Sequence, residues 1–263
     1  MLEVRNLRKE FGDFVAVDDV TFSLAEHGSL AIVGESGSGK TTTARMIAGL
    51  ETPSGGHVVV DGDERRAGRA RSRERHVRGR RIQMVFQDPY SSLDRRQRVG
   101  DAVAEAVALH RQLPADRLRA RVAELLEMVG LDERQARSLP KALSGGQRQR
   151  VAIARSLAAE PRVLILDEAI AALDVSIQAQ VLALLARIRA DTGTALLFIT
   201  HDLGAVRHIS DDVLVMQAGR VVEQGPVAGV LGAPRAPYTR RLIDSIPKPG
   251  WTPRRMADRA AAP

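Results

Sequence analysis

Apolar and polar residues are mixed along the front of the chain, where LEVRNL and VTFSL read as short, half-exposed strands. The pattern then changes. SLAIVG is a nearly unbroken apolar run ending in glycine, the signature of a strand buried on both faces, and KTTTARMIAGL after it carries helical spacing. GGHVVVDG is another strand, entered and left through glycine turns, and IQMVFQD is a further one. From about Gln97 to Leu157 helical periodicity takes over, in VGDAVAEAVALH, ADRLRARVAELLEMVGL and SGGQRQRVAIARSLA, the last opening on a Ser-Gly start signal. Strands then return. VLILDE is followed by a helix from about Val175 to Arg189, by the strand TALLFITH and by a short helix. DDVLVMQAGRVVEQG predicts a hairpin turning at Ala218-Gly219.

Strands alternating with helices predict an α/β fold with a mainly parallel sheet covered on both faces. The expected organisation is an α/β core over about residues 1–90 and 158–233, interrupted by a helical insert over about 91–157. A tail over 234–263 is rich in Pro, Arg and Ala, and its end, MADRAAAP, is expected to be disordered. The 263 residues suffice for one large domain or two small ones. With 44% hydrophobic and 27% charged residues, the composition is that of a soluble globular protein. No apolar run approaches the ~18 residues needed to span a bilayer. The start, MLEVRNLRKEF, lacks the apolar segment of a secretion signal. The absence of cysteine excludes disulfides, thiol catalysis and cysteine-held zinc or iron–sulfur clusters.

The formal charge is +7, and nine arginines fall between Arg65 and Arg81. Such a run can bind nucleic acid or anionic headgroups. A solvated loop is the favoured reading: only four lysines occur in the chain, so the Arg bias is global, and no aromatic residue within the run offers a base a stacking surface.

Three stretches bear on chemistry. Gly34, Glu35, Ser36, Gly37, Ser38, Gly39, Lys40 and Thr41 fit G-x-x-x-x-G-K-[ST], placed between a strand and a helix as a phosphate loop requires. Its glycines let backbone N–H groups converge on phosphate oxygens, and the helix adds its positive end. Lys40 supplies a point charge for the β- and γ-phosphates, and the Thr41 hydroxyl can ligate Mg²⁺. The loop alone does not separate a kinase, a GTPase or an ATPase. In VLILDE, Asp167 stands at the C-terminal end of a buried strand, where a carboxylate can hold Mg²⁺, and Glu168 is placed to orient or deprotonate water. Alone, this stretch is equally a strand ending in an acidic cap; the phosphate loop in the same domain favours the metal site. Leu143, Ser144, Gly145, Gly146 and Gln147 open a helix whose hydroxyl, N–H groups and dipole favour an anion. Gln87 and His201 each follow an apolar strand and gain weight only from sharing that sheet.

In this combination the sequence resembles the ATP-binding subunits of ABC transporters. GESGSGKTT, running through Thr42, is similar to Walker A, VLILDE to Walker B, LSGGQ to the signature, VFQDP to the Q-loop and FITHD to the H-switch. AALD, ending at Asp174, resembles the D-loop, and Phe11 occupies the position of the aromatic residue that stacks on adenine. The matches run in the family's order from about Leu2 to Gly225, so residues 1–233 are identified as the ATP-binding domain. The resemblance implies a P-loop NTPase core with an N-terminal antiparallel β subdomain and an inserted α-helical subdomain. VFQDPYSSLDRRQRVGD and the tail segment APRAPYTRRLIDSIP are similar to the dipeptide, oligopeptide and nickel importer branch. Some members of that branch bind an iron–sulfur cluster through C-terminal cysteines, a property this cysteine-free chain cannot share.

The resemblance implies ATP and Mg²⁺ as cofactors and a second ATP-binding subunit packed head to tail, more often a paralogue than an identical copy. Each nucleotide then lies between the phosphate loop of one subunit and LSGGQ of the other. Glu168 would activate water, His201 would hold water and γ-phosphate in line, and Gln87 would contact Mg²⁺ and link to the permease. Asp174 would touch the partner's site, and the helical insert would receive a cytoplasmic helix of the permease. The implied place is the cytoplasmic face of the cell membrane, with an extracellular substrate-binding protein as an indirect partner and no nucleic acid. A soluble ABC ATPase acting on DNA or ribosomes is the alternative; the importer-like tail and the lack of a long coiled coil count against it. Two residues depart from the family pattern: Ala169 stands where proline is usual, and Ala171 where serine is usual.

Overall fold

The computed structural model describes residues 2–65, 79–88 and 93–245. Most of the arginine-rich run, residues 66–78, and the segment MADRAAAP lie outside these. The mixed front end forms strands β1 (Leu2–Phe11) and β2 (Phe14–Leu24), joined by a tight turn and paired antiparallel. The buried run forms β3 (Ser29–Val33), and the helix after the phosphate loop is α1 (Lys40–Ala48). Strands β4 (Gly55–Val60) and β5 (Asp63–Arg65) complete an antiparallel sheet of order β2-β1-β4-β5.

The second sheet includes β6 (Ile82–Val85). Four helices then follow: α2 (Val99–His110), α3 (Ala115–Met128), α4 (Glu133–Arg137) and α5 (Gly145–Leu157). The chain returns through β7 (Val163–Asp167), α6 (Val175–Thr192), β8 (Ala195–Thr200) and α7 (Leu203–Ile209). The hairpin β9 (Asp212–Gln217) and β10 (Arg220–Pro226) turns at Ala218-Gly219, where both residues take positive φ, 46° and 81°. Helices α8 (Val227–Gly232) and α9 (Pro237–Asp244) end the described chain. The sheet order is β10-β9-β3-β8-β7-β6, parallel throughout except for the last hairpin.

Strands β3, β7 and β8 are buried at every position, whereas β2 alternates between buried and exposed. That is the difference between a sheet covered on both faces and one with a wet face. Period-two alternation sends the side chains of β7 into two cores. Val163 and Ile165 meet the antiparallel sheet and α1, while Leu164 and Leu166 meet α2, α3, α5 and α6. Each such fully buried aliphatic side chain stabilises the fold by about 1.5–3 kcal/mol. Three of the helices between β6 and β7, α2, α3 and α5, therefore share one core with the sheet: Val103, Leu125 and Val151 belong to the same apolar cluster as Leu164 and Phe198. A third cluster, around Ala31, Val33, Val213 and Val215, is covered by α7, α8 and Tyr238 of α9. The tail, read from sequence by its composition and by the resemblance of APRAPYTRRLIDSIP to the importer branch, thus contributes a helix to the core.

Candidate functional site

The sheet places the chemistry at the C-terminal ends of β3, β7 and β8, where α/β proteins open their ligand crevice. The loop after β3 turns back on itself through glycines of positive φ, Gly34 at 152°, Gly37 at 80° and Gly39 at 100°. Two of these are forced by close approach. A Cβ on Gly34 would stand 2.2 Å from the Met216 carbonyl oxygen, and one on Gly39 2.6 Å from that of Ala16. The loop is thereby pinned between β9 and β2, with α1 starting at Lys40.

Lys40 is 5% exposed. Its Nζ donates to the carbonyl oxygens of Gly34 at 2.9 Å and Glu35 at 2.8 Å. Burial pushes this ammonium below the usual lysine range, against the pull of the Glu168 and Asp167 carboxylates. Thr41 Oγ1 donates to Asp167 Oδ1 at 3.0 Å, joining the start of α1 to the end of β7. Asp167 is also 5% exposed. Burial raises its carboxyl above the usual aspartate range; the Thr41 bond opposes the rise, and the neighbouring Glu168 charge adds to it.

Glu168 sits one residue beyond β7 in the left-handed region, φ 48°, uncommon for a residue with a side chain and frequent at functional sites. Its N–H still bonds to Ile199 O of β8 at 2.9 Å, and its Oε1 lies 3.5 Å from Nδ1 of the largely exposed His201. Ser36, Gly37, Ser38 and Thr42 lie in the loop and on the first turn of α1 beside these groups. Lys40, Thr41, Asp167, Glu168 and His201 are thus brought together as the sequence suggests. Gln87 is exposed two residues past β6, and Asp174 is exposed as the cap of α6 with no side-chain capping bond.

The LSGGQ segment is built differently. Leu143 is buried at 5% exposure. Ser144 caps α5: its Oγ accepts from Gln147 N at 3.3 Å, and Gln147 Oε1 accepts from Ser144 N at 2.9 Å. A Cβ on Gly146 would meet Ile177 Cγ2 at 2.4 Å, and one on Gly145 would stand 3.5 Å from Leu173 Cδ2. The segment therefore packs on the D-loop and α6. Among the described residues none of its hydrogen bonds reaches the phosphate loop, and Ser144 and Gly145 face solvent.

Phe11 is 49% exposed, with Lys9 Nζ 4.7 Å from its ring centroid. Its cross-strand partner Phe14 is 62% exposed, a second open aromatic surface that the sequence did not single out. The residues fit a hydrated magnesium ion bound with nucleotide. Thr41 and Asp167, with the Gln87 amide, offer only oxygen donors, and no group of three His, Cys, Asp or Glu among the described residues forms a cage. Magnesium usually takes one or two protein carboxylates and completes its shell with water and phosphate oxygens.

Comparison with known proteins agrees with this geometry. The ABC transporter family model matches residues 17–171. The chain is 42% identical over 254 residues to the oligopeptide transport ATP-binding protein OppF of Bacillus subtilis (strain 168), covering 95% of this chain and 83% of that protein. It is 46% identical over 235 residues to the glutathione import ATP-binding protein GsiA of Escherichia coli (strain K12), covering 88% of this chain but only 37% of that longer protein. Among solved structures, the dimeric post-hydrolysis state of the ATP-binding cassette MJ0796 bound to ADP and Pi superimposes with a TM-score of 0.76 at 29% identity, over 86% of this chain and 99% of that one.

Proposed function

The chain belongs to the ABC transporter ATP-binding family, and from that premise we propose that it is the ATP-hydrolysing subunit of an importer that carries peptides through a membrane permease. The observation that carries this reading is the juxtaposition of Lys40, the Thr41–Asp167 pair and Glu168 in one crevice, with Ser144 and Gly145 of LSGGQ exposed to solvent. The peptide class rests on the names of the relatives, oligopeptide and glutathione transport proteins.

On this reading Lys40 leaves the Gly34 and Glu35 carbonyls to meet the β- and γ-phosphates. The backbone N–H groups of the loop and of Thr41 and Thr42 receive phosphate oxygens at the positive end of α1. Thr41, Asp167 and Gln87 would hold Mg²⁺, which would supply charge neutralisation at the phosphate oxygens. Glu168 accepts a proton from the attacking water, and His201, 3.5 Å away, orients water and γ-phosphate. Phe11 stacks on the adenine. Ser144 and Gly145 make no bond to the phosphate loop of their own chain and are exposed, so we assign them to the nucleotide of a second subunit, with Asp174 at the shared edge. A solved relative is a dimer with ADP and Pi, which supports this pairing. We propose that the second subunit is a paralogue.

The permease contact is proposed at a 590 Å³ groove between β6 and α2, lined by Met84, Phe86, Ala106 and Leu109. Phe86 and Leu109 are 39% and 63% exposed there, apolar surface suited to a helix of a partner. No helix among the described residues is long and apolar enough to cross a membrane. The proposed place is therefore peripheral, at the cytoplasmic face, with the extracellular binding protein an indirect partner.

Purification of the tagged chain in detergent tests this reading. Co-purification of a permease pair and a second ATP-binding subunit is expected. Salt-sensitive binding to nucleic acid instead of a permease would replace it with a soluble ATPase.

A further inference from the structure

We infer that Tyr238 of the C-terminal helix α9 is a positioning residue for nucleotide binding, acting on the phosphate-loop lysine through the Glu35 peptide. The inference rests on the reading that residues 34–42 bind ATP.

Tyr238 is 6% exposed, and its ring packs in the apolar cluster with Ala31, Val33, Leu203 and Val206. A buried tyrosine hydroxyl normally finds a polar partner. Here it accepts from Glu35 N at 3.0 Å, across 203 residues of sequence. The carbonyl of the same Glu35 accepts from Lys40 Nζ at 2.8 Å. The Gly34–Glu35 peptide unit is therefore held by α9 at its N–H and holds the lysine at its carbonyl, the Gly34 oxygen 2.9 Å from Lys40 Nζ.

The helix is itself fixed at its start. The Glu223 carboxylate on β10 accepts from Arg235 N at 2.8 Å and Ala236 N at 3.1 Å, the two residues leading into α9. Pro237 then starts the helix without needing a donor of its own. At the far end, Leu242 and Ser245 line a 340 Å³ pocket with Ala171, Thr200 and His201. A single eight-residue helix thus touches the phosphate loop with its first turn and borders the loops of His201 and Ala171 with its last. Removing the hydroxyl leaves the Glu35 N–H without its partner in a half-buried place and frees the loop that must present its N–H groups and Lys40 to the phosphates, in the bound state as in the free one.

The test is Tyr238→Phe, which keeps the ring and deletes the hydroxyl. Titration of the full chain with ATP and Mg²⁺ is expected to show a Kd raised by roughly two- to tenfold, the loss of about one hydrogen bond. In the assembled transporter the ATP KM should rise by the same factor, while kcat at saturating ATP stays within about twofold, since an interaction equal in ground and transition states changes KM alone. A merely structural hydroxyl would lower the thermal midpoint and leave Kd and KM at wild-type values, which would overturn the inference. Lys40→Ala in the same titration separates the two levels. If it binds ATP like wild type, the nucleotide reading fails. If it does not bind while Tyr238→Phe matches wild type, only the role of Tyr238 fails.

Discussion

The phosphate loop and the LSGGQ segment are both glycine-rich openings of helices, yet their polar groups are disposed in opposite ways. Around the loop the charged groups are buried and committed inside the chain: Lys40 to Gly34 and Glu35, Thr41 to Asp167. Within LSGGQ the side-chain bonds among the described residues are the reciprocal pair between Ser144 and Gln147, and Ser144 and Gly145 are open to solvent. On the proposed function, the first arrangement is a prepared binding site whose groups need only exchange partners when phosphate arrives, and the second is a helix end made stable by its own cap and left to face another molecule. The two regions would then be half-sites with different jobs, and the difference between them lies in where their hydrogen bonds go.

The largest expected effect on ATP binding breaks the prepared half. Lys40→Ala should lower ATP affinity and turnover by about 100-fold or more, the range seen when a preorganised donor is removed from a charged site. An equilibrium titration of the single chain reads this directly. The opposite half should behave differently. Ser144→Ala removes the cap of α5, costing about 1 kcal/mol of stability in thermal unfolding. It should leave ATP binding to the single chain unchanged and lower turnover of the assembled complex by about tenfold, as expected for one bond to a charged phosphate. If single-chain binding falls as well, the two halves are not separate. The smallest effect is expected between them. Ala171 lines the pocket beside His201, and Ala171→Ser can add about one hydrogen bond there, raising turnover by at most about two- to fivefold in steady-state assays.

Much of the prepared half was legible in the sequence because its constraints are local. A phosphate loop needs glycines at fixed spacing, and the buried strands β3, β7 and β8 read as unbroken apolar runs. The hairpin turn at Ala218-Gly219 was legible for the same reason. What stayed hidden depends on distant partners. The Tyr238–Glu35 bond joins residues 203 apart, and the short amphipathic helix that carries it lies in a segment whose composition drew the reading toward a tail. The Ser144–Gln147 capping box could have been read from its S-x-x-Q spacing. Phe14 was missed because only the turn between β1 and β2 brings it opposite Phe11. The shared core of helices α2, α3 and α5 with the sheet is likewise a matter of packing, not of periodicity.

The account stands most directly on Glu168, which occupies a strained position past β7 and faces His201. The deciding measurement is steady-state ATP hydrolysis by the assembled transporter carrying Glu168→Gln, alongside ATP binding by the same variant. The predicted result is turnover reduced by about 10²- to 10⁴-fold, the usual worth of a general base, with ATP binding retained. Turnover at the wild-type rate would contradict the assignment of this carboxylate and, with it, the chemistry proposed for the crevice.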